Sequence, residues 1–465
     1  MSTPPLASGP LGPSALRPLL DTVLAALDAG ARARGGPLPT GGPDAVAARM
    51  RKAVGEVLPG RGDPHALHTL VHAFAEGAAD PAHPLCAAHL HSPPLALAAA
   101  ADLAASALNP SLDSWDQGPG PSELEKTVAG VLAREVYPAA PQNPDSLITT
   151  GGTEANQLAL LLAREANGGT VRLVCGANAH HSLRRAAWLL GLPEPVHVPA
   201  PAGSLDPAAL DQALTHTPGP LLVAATAGTT DAGLIDPLPD IAAHCTAHGA
   251  RLHIDAAYGG GLLFSDRHRP RLTGLDAADT VTIDLHKLGW QPVAAGILAV
   301  KNPRDLTALR HRADYLNAAD DTEAGLPDLL GRSLRTTRRP DVLKLAVTLK
   351  TLGRDGLGAL VDQVCAHAHE FARLVQNHPG FELHSHPVIS TVLFRPAHTT
   401  DTTVAAVRRT LLTDGSAVLG RARLDGRLWL KATLLNPATR PDDLAALLHL
   451  VTARQATLAE GHTPR

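Results

Sequence analysis

The sequence is poor in aromatic residues and in cysteine. Phe, Tyr and Trp make up 3% of the 465 residues, and there are only four cysteines. The cysteines are widely separated and form no Cys-x-x-Cys pair, so the sequence predicts neither a disulfide framework nor a metal site. We therefore expect reduced, buried thiols in a cytoplasmic protein. The four residues are Cys86, Cys175, Cys245 and Cys365.

Long apolar runs and blocks of basic charge are also absent. The longest apolar run, residues 95–108, contains Asp102 and is too short to span a bilayer. The first residues lack the basic region and apolar core of a signal peptide. The net charge is −4 with histidine neutral, and no Lys/Arg block stands out. The composition therefore argues against a membrane protein and against a nucleic-acid partner.

After residue 145 the sequence alternates between short apolar strands and amphipathic helices. This alternation predicts an α/β fold with a mainly parallel sheet that is covered by helices. Ligands in such folds bind at the C-terminal ends of the strands. The predicted strands are 146–149, 171–175, 220–225, 251–255, 280–285 and 296–301. The predicted helices between them are 153–166, 182–190, 207–215 and 237–248.

Smaller parts are predicted on either side of this body. Three amphipathic segments, 16–33, 44–58 and 64–78, predict an N-terminal helical arm that packs on the main body or, as we favour, on a second subunit. After residue 380, short strands and helices predict a small α+β domain. The predicted domains are the arm (1–80), a large α/β domain (81–375) and the C-terminal α+β domain (376–465).

Three further segments are predicted around the main body. Ser122 and Glu125 have the spacing of a capping box that opens a helix. Residues 315–334 have little periodicity and predict a mobile loop. A long helix is predicted over 340–376.

Two strand ends carry the residues that organise the chemistry. The alternating stretch 280–285 ends just before His286 and Lys287, and the strand 251–255 ends in Asp255. A lysine at the C-terminal edge of a sheet is well placed to form an imine with an aldehyde. A nearby carboxylate can keep a pyridine nitrogen protonated. Together they predict a pyridoxal phosphate site.

Other strand ends carry groups that suit the same cofactor. Gly151, Gly152 and Thr153 lie between a strand and a helix, where glycines and free N–H groups accommodate a phosphate, and Thr153 can also cap the helix. His180 and His181 follow another strand and offer a flat ring, although their adjacency leaves the choice between them open. The hydroxyls of Thr229 and Thr230 follow a third strand.

These motifs resemble the group II pyridoxal-phosphate decarboxylases, a family that includes aromatic amino acid, glutamate and diaminobutyrate decarboxylases. The resemblance covers about residues 80–440 and implies a fold-type I aminotransferase-like architecture and a homodimer with its active site near the subunit interface. The motifs are Gly-Gly-Thr-Glu-Ala-Asn (151–156), Ala-His-His-Ser (179–182), Thr-Ala-Gly-Thr-Thr (226–230), His-Ile-Asp-Ala-Ala-Tyr (253–258) and Asp-Leu-His-Lys (284–287). Other stretches, including Leu-His-Ser-Pro-Pro (90–94) and Ser-Trp-Asp-Gln (114–117), are most similar to the diaminobutyrate decarboxylase branch, which includes siderophore-type lysine decarboxylases.

The resemblance also implies a role for each site residue. Lys287 would bind the cofactor aldehyde, Asp255 would pair with the pyridine nitrogen, and His180 would stack on the ring and help to place the substrate carboxylate. Ala257 would pack under the ring. Around the phosphate the family pattern places Gly152, Thr153, Asp284 and His286, with Thr229 or Thr230 near the ring or phosphate.

The predicted reaction is decarboxylation of an L-amino acid to an amine and CO₂. The resemblance favours 2,4-diaminobutyrate, followed by lysine or ornithine. A basic substrate requires acidic or carbonyl groups in the pocket, and the candidate acids are Asp113, Asp116, Asp320 and Asp321. His89, Ser92 and Trp115 lie in predicted connections and are candidates for one wall of the substrate pocket, or are ordinary loop residues.

One departure from the family leaves alternatives open. Several relatives carry on the mobile loop a Tyr that returns a proton to the substrate carbon, but residues 316–334 contain none, and Tyr315 lies just before them. His180, Lys287 or a residue of a partner subunit could supply that proton, or the chemistry could lead to an aldehyde. The alternatives to a decarboxylase are an aminotransferase or aldehyde synthase on the same fold, and a non-catalytic cofactor-binding protein.

Overall fold

The structure, a computed structural model, describes residues 4–311 and 313–460. The chain divides into two compact units. The first comprises Met1–Pro93, Ala366–His386 and Ser390–Arg465, and the second comprises Pro94–Cys365 and Pro387–Ile389. The boundaries between these two units differ from the predicted domain boundaries. The division into three domains therefore stays a prediction.

Helices and strands alternate through most of the described chain. The α-helices are α1 (Gly12–Arg34), α2 (Gly42–Val54), α3 (Ala66–Gly77), α4 (Ala96–Leu108), α5 (Pro119–Val136), α6 (Gly152–Ala166), α7 (His181–Leu189), α8 (Pro207–His216), α9 (Leu238–His248), α10 (Asp314–Asn317), α11 (Ala319–Glu323), α12 (Val342–Asn377), α13 (Asp401–Thr413) and α14 (Pro441–Glu460). The strands are β1 (Cys86–Ala87), β2 (Asp145–Thr149), β3 (Arg172–Gly176), β4 (Val196–Val198), β5 (Leu221–Thr226), β6 (Arg251–Asp255), β7 (Thr280–Asp284), β8 (Gly296–Val300), β9 (Phe381–Leu383), β10 (Thr391–Pro396), β11 (Val418–Leu424) and β12 (Arg427–Thr433). Short 3₁₀-helices cover Pro201–Gly203, Gly259–Phe264, Arg269–Leu272, Leu275–Ala277, Pro303–Leu309 and Leu330–Arg332.

The second unit is built on a sheet with the order β2-β8-β7-β6-β5-β3-β4, which has seven strands among the residues described. Strand β8 is antiparallel to both of its neighbours, and the pairs from β7 to β4 are parallel. The C-terminal ends of β2, β3, β5, β6 and β7 therefore lie at one edge. This arrangement confirms the predicted α/β fold with a mainly parallel sheet.

Helix α6 illustrates why the second unit folds in this way. Its apolar residues recur every three or four positions, so one face packs on β2 and β8 through Leu158 and Leu162. Leu160 packs with residues of β3 and β5. Both faces of the helix are therefore buried, and its first residue, Gly152, is fixed at the C-terminal edge of the sheet.

The first unit contains a second sheet, with the order β1-β11-β12-β10-β9 among the described residues. Strand β1 pairs in parallel with β11, so Cys86 and Ala87 from the early chain join the C-terminal strands. Helices α12, α13 and α14 supply apolar side chains to this core, including Phe371, Val404 and Leu447. The predicted α+β character of the C-terminal region is thus present.

Three predictions about local structure require correction or completion. The capping box is wrong, because α5 begins at Pro119 and both Ser122 and Glu125 are buried inside it. The segment 315–334 includes most of the short helix α10 and all of α11, while its mobility stays a prediction. The strands β1, β4 and β9 were not predicted, because two or three residues are too few to show alternation. No helix in the described part of the chain is both long and apolar enough to cross a bilayer.

Candidate active site

The predicted phosphate turn lies between β2 and α6 and is closely packed. A Cβ atom on Gly151, which has φ +149°, would lie 2.9 Å from Cε1 of His286. A Cβ on Gly152 would lie 3.1 Å from the Cβ of Ala257 and 3.2 Å from Oδ2 of Asp284. Four of the predicted site residues are therefore gathered around one glycine turn: Gly152, Ala257, Asp284 and His286.

Thr153 has a different local role from the one predicted. Helix α6 begins at Gly152, its N-cap is Gly151, and no side chain caps it. Thr153 is thus the second helical residue and is exposed. The unsatisfied N–H groups of the first turn remain suitable for an anion.

Lys287 lies just beyond the end of β7 and is held by an acid on that strand. Its Nζ is 2.8 Å from Oδ2 of Asp284, and Nε2 of His286 is 3.6 Å from the same oxygen. The other oxygen of Asp284 is buried and has no hydrogen-bond partner. His286 donates from Nδ1 to the carbonyl oxygen of Ala295 at 3.1 Å, and burial lowers the pKa of its imidazole.

Asp255 ends β6, the neighbour of β7, and its side chain is buried. Its Oδ1 accepts the backbone N–H of Ala257 at 3.1 Å, and its Oδ2 accepts the side-chain amide of Asn156 at 2.8 Å. A carboxylate that accepts two donors has a fixed orientation before any ligand binds.

Asn156 is fully buried and has hydrogen bonds on both ends of its amide. Its Nδ2 also donates to the hydroxyl of Ser182 at 2.9 Å. Its Oδ1 accepts from the hydroxyl of Thr282 at 2.9 Å and from Nε2 of His253 at 3.0 Å. The hydroxyl of Thr280 lies 2.9 Å from Nδ1 of His253 and completes the chain of bonds.

His253 opens the motif at residues 253–258, and no role was predicted for it. It is fully buried, and burial lowers the pKa of its imidazole to about 4. It is therefore neutral at neutral pH, with its proton on the Nε2 that faces Asn156. The sequence did contain a signal for this residue. His253 and Asp255 are two positions apart in a strand, so their side chains lie on the same face of the sheet.

Of the two adjacent histidines, His180 has the contacts expected of a site residue. It is the N-cap of α7, and its Nδ1 lies 2.8 Å from the hydroxyl of Ser182. Burial lowers the pKa of His180, while the charge of Asp255 opposes that shift. His181 is exposed, and its ring centroid lies 4.2 Å from that of His180.

The loop after β5 uses its polar groups mainly for its own structure. The buried Thr229 hydroxyl accepts the backbone N–H of Leu234 at 3.0 Å, whereas Thr230 is exposed. Asp236, which was not predicted, accepts the backbone N–H of Thr226 at 2.8 Å and the side-chain amide of Asn178 at 2.8 Å. It thereby links the loops that follow β3 and β5, and burial raises its pKa.

The residues predicted for the substrate pocket belong to different units. His89 and Ser92 lie in the first unit, and Trp115 lies in the second. Their joint role stays a prediction.

The candidate acids differ in their surroundings. Asp113 is buried and accepts the side-chain amide of Gln117 at 2.8 Å, while Asp116 is exposed. Asp320 and Asp321 lie on α11 and are exposed, as is Tyr315 on α10.

The gathered residues fit pyridoxal phosphate. The glycine turn leaves a cradle that any side chain would fill, and the unpartnered Asp284 oxygen is a buried acceptor. An amine that forms imines and a fixed carboxylate lie at the ends of two adjacent strands. No group of three or more potential metal ligands is arranged to hold a metal ion in the described residues.

The comparisons with known proteins agree with this chemistry. Residues 69–397 match the family model described as the pyridoxal-dependent decarboxylase conserved domain. An L-2,4-diaminobutyrate decarboxylase of Rhizobium meliloti (strain 1021) is 40% identical over 83% of this chain and 80% of its own length. One from Acinetobacter baumannii is 32% identical over 85% and 84%, respectively.

A solved structure extends the likeness to the fold. It is the glutamate decarboxylase domain of diaminobutyrate-pyruvate transaminase and L-2,4-diaminobutyrate decarboxylase from Vibrio parahaemolyticus. It matches with a TM-score of 0.85 and 30% identity, and the match covers 97% of this chain and 98% of that chain. The resemblance predicted from the motifs is confirmed.

Proposed function

Because the chain belongs to the pyridoxal-dependent decarboxylase family, we propose that it removes the α-carboxylate of a diamino acid as CO₂. The favoured substrate is 2,4-diaminobutyrate, followed by lysine and ornithine. The enzyme class is that of pyridoxal-phosphate-dependent amino acid decarboxylases. The support for a diamino acid is that two relatives, 40% and 32% identical, are L-2,4-diaminobutyrate decarboxylases.

One observation carries the assignment of the site. Lys287 with Asp284, and Asp255 with Asn156, lie at the ends of the adjacent strands β7 and β6. Pyridoxal phosphate, when bound, supplies an aldehyde for the substrate amine and a ring that accepts the electrons left by CO₂. Lys287 would hold the aldehyde, and Asp255 would hold the ring nitrogen.

The remaining residues of the site would bind and orient. The glycine turn, the first N–H groups of α6 and His286 would hold the phosphate, with Thr229 and Thr230 nearby. Ala257 would lie under the ring, because its Cβ borders the same turn as Gly152.

His180 is the proposed proton carrier at the substrate carbon. Its Nδ1 accepts from Ser182, so the proton of the neutral ring is on Nε2. Its lowered pKa keeps the ring neutral at neutral pH. A neutral imidazole can either give or take a proton, which is what general acid–base chemistry requires. Lys287 and a residue of a partner subunit remain alternatives.

The substrate ammonium needs a carboxylate partner, and we propose Asp113 among the four candidates. Unlike Asp116, Asp320 and Asp321, it is buried, so its charge is less screened by water. It is two residues from Trp115, the predicted pocket wall in the same unit.

We also propose that the enzyme is a cytoplasmic homodimer with the active site near the interface. The N-terminal helices of the first unit expose large apolar side chains, including Leu24 at 64% and Phe74 at 69%. A second copy of the chain would cover such surfaces. From the sequence patterns we also propose three domains: the N-terminal arm (1–80), the large α/β domain (81–375) and the C-terminal α+β domain (376–465).

The deciding experiment is an amine-release assay across 2,4-diaminobutyrate, ornithine, lysine, glutamate and aromatic amino acids. We expect CO₂ and amine from diaminobutyrate without any keto acid or oxygen. Lys287→Ala should abolish both turnover and the visible absorbance of lysine-bound cofactor. Lys301→Ala is the control and should retain both. Lys301 lies just after β8, and its Nζ donates to the backbone carbonyl oxygen of Asp276. Full turnover by Lys287→Ala would refute the assignment.

The lack of Tyr in residues 316–334 is the observation that supports an aldehyde synthase as the second candidate function. If O₂ and not a proton reacts at the substrate carbon, O₂ is reduced to hydrogen peroxide, and hydrolysis releases an aldehyde and ammonia in addition to CO₂. A requirement for a keto acid would instead identify an aminotransferase. No turnover of any substrate by a cofactor-loaded protein would identify a non-catalytic binding protein.

A further inference from the structure

The first unit contains a pocket lined by three arginines, on the face of its sheet that α13 covers. The pocket has a volume of about 260 Å³. Its apolar side consists of the half-buried Ala405 and of three buried residues, Val404, Leu428 and Leu430. Its polar side consists of the arginines 408, 409 and 421.

The sequence explains why these arginines converge. Arg408 is four residues after Val404 on α13, and Arg409 is four residues after Ala405, so each lies one turn above a pocket residue. Arg421 on β11 is directly opposite Leu430 on β12 and shares its face of the sheet. The Nε of Arg408 donates to the carbonyl oxygen of Leu419 at 2.7 Å, which fixes the direction of its guanidinium group.

The three positive charges lack an ion-pair partner among the residues that the structure describes. Within residues 4–311 and 313–460, no carboxylate forms an ion pair with Arg408, Arg409 or Arg421. The acid nearby on α13, Asp401, is already bound by Arg395 at 3.1 Å and by Arg423 at 3.0 Å.

Burial and repulsion between the three cations both lower the pKa of Arg408. Burial lowers the pKa of its guanidinium group, and the charges of Arg421 and Arg409 lower it further. An anion in the pocket would relieve this repulsion.

We propose that this pocket binds a small phosphate-bearing anion, either inorganic phosphate or a phosphate monoester. Guanidinium groups present planar forks of donors that match phosphate oxygens, and the NH₂ groups of Arg408 lie beyond its anchored Nε. A group that carries up to two negative charges balances three cations better than a single carboxylate does. The arginines of this pocket belong to the first unit, whereas Lys287 and Asp255, proposed for the cofactor, belong to the second.

Titration calorimetry on the cofactor-loaded enzyme tests the proposal. Because pyridoxal phosphate already fills the proposed phosphate turn, inorganic phosphate should bind at one further site per chain, in chloride buffer of constant ionic strength. Arg421→Gln should weaken this binding by about tenfold or more. Arg454→Gln is the matched control, because it also removes one cation of the first unit, but one that is paired with Asp414 at 2.9 Å.

Two further titrations define the ligand. AMP, a phosphate monoester, should compete with inorganic phosphate. The ratio of the two affinities shows whether the pocket prefers free phosphate or a phosphate monoester. Citrate tests the rival class of anion. Binding of citrate alone, no saturable phosphate binding, or equal weakening by Arg421→Gln and Arg454→Gln would each overturn the proposal. Arg421 is exposed and Arg408 anchors to β11, so Arg421→Gln is the variant that spares the fold.

Discussion

Asn156 donates a 2.8 Å hydrogen bond to Asp255, although the two residues are 99 positions apart in the chain. The same amide nitrogen donates to Ser182, whose hydroxyl lies beside His180. One buried side chain on α6 therefore orients both the carboxylate proposed for the ring nitrogen and the imidazole proposed for proton transfer.

We predict that Asn156→Ala lowers kcat and cofactor affinity together. The change removes a donor from Asp255 and leaves His253 and Thr282 without their acceptor. Hydrogen bonds to charged groups contribute about 1.5–3 kcal/mol, so we expect a loss of about 10- to 100-fold. Steady-state kinetics measures the loss in kcat, and titration of the visible cofactor absorbance measures the loss in cofactor affinity.

Asn167→Ala is the control for this change. Asn167 is the C-cap of the same helix, and its amide bonds only the carbonyl oxygen of Ala163 among the contacts described. Similar kinetic losses in both variants would assign the effect to helix α6 as a whole and not to the network.

The fold was largely predictable because its long elements show clear periods. The strands 251–255 and 280–285 were predicted within one residue of β6 and β7, and those strands carry Asp255 and Asp284. A buried parallel sheet with short connections leaves few other arrangements. Because the C-terminal ends of parallel strands lie at one edge of the sheet, the positions of the main site residues at those ends were enough to predict that they lie together.

The parts that were not predicted depend on contacts between distant residues. The bonds of Asn156 to Ser182, Asp255 and Thr282 join α6 to α7, β6 and β7, and no local pattern indicates such pairing. The same holds for Glu125, whose spacing from Ser122 suggested a cap while its real partner is Arg338. Short-range spacing does not distinguish these two roles.

We predict that Gly151→Ala impairs cofactor binding. Its φ of +149° is unfavourable for any side chain, and the added Cβ would approach His286 Cε1 to 2.9 Å. Strain of about 1–3 kcal/mol at this turn should weaken cofactor affinity by about 5- to 150-fold. Absorbance titration of the apoenzyme with pyridoxal phosphate measures it.

Gly169→Ala separates backbone strain from the clash. Gly169 has φ +96°, and no atom lies within 4 Å of its hypothetical Cβ. This variant should lose stability but keep its cofactor affinity. Equal loss of cofactor affinity in both variants would contradict a phosphate-binding role for the 151–152 turn.

We predict an acid-sensitive contribution to stability from His253. Its folded pKa of about 4 is below the unfolded value of about 6.5, so the unfolded chain binds a proton more readily between these values. The contribution is fully present above pH 6.5 and is lost as the pH falls towards 4, at up to about 1.4 kcal/mol per pH unit.

Thermal unfolding of wild type and His253→Gln from pH 7 to pH 4.5 tests this slope. Glutamine keeps an N–H donor for Asn156 but does not titrate. The unfolding midpoint of the wild type should therefore fall more steeply with decreasing pH. Parallel curves for the two proteins would exclude His253 as the titrating group.

The ion pair between Glu125 and Arg338 provides the strongest stability prediction. Both side chains are almost fully buried, and their two hydrogen bonds, 2.6 and 2.7 Å long, join α5 to the segment before α12. Glu125→Gln leaves the Arg338 guanidinium buried without its counter-charge, so we expect a loss of about 3–5 kcal/mol in the free energy of unfolding.

Glu123→Gln is the control on the same helix. The Glu123 side chain is 68% exposed and pairs with Lys126 at 3.6 Å. Its replacement should lower the free energy of unfolding by less than about 1 kcal/mol. Denaturant unfolding of both variants measures the difference, and a cost for Glu125→Gln as small as that for Glu123→Gln would show that α5 does not depend on this pair.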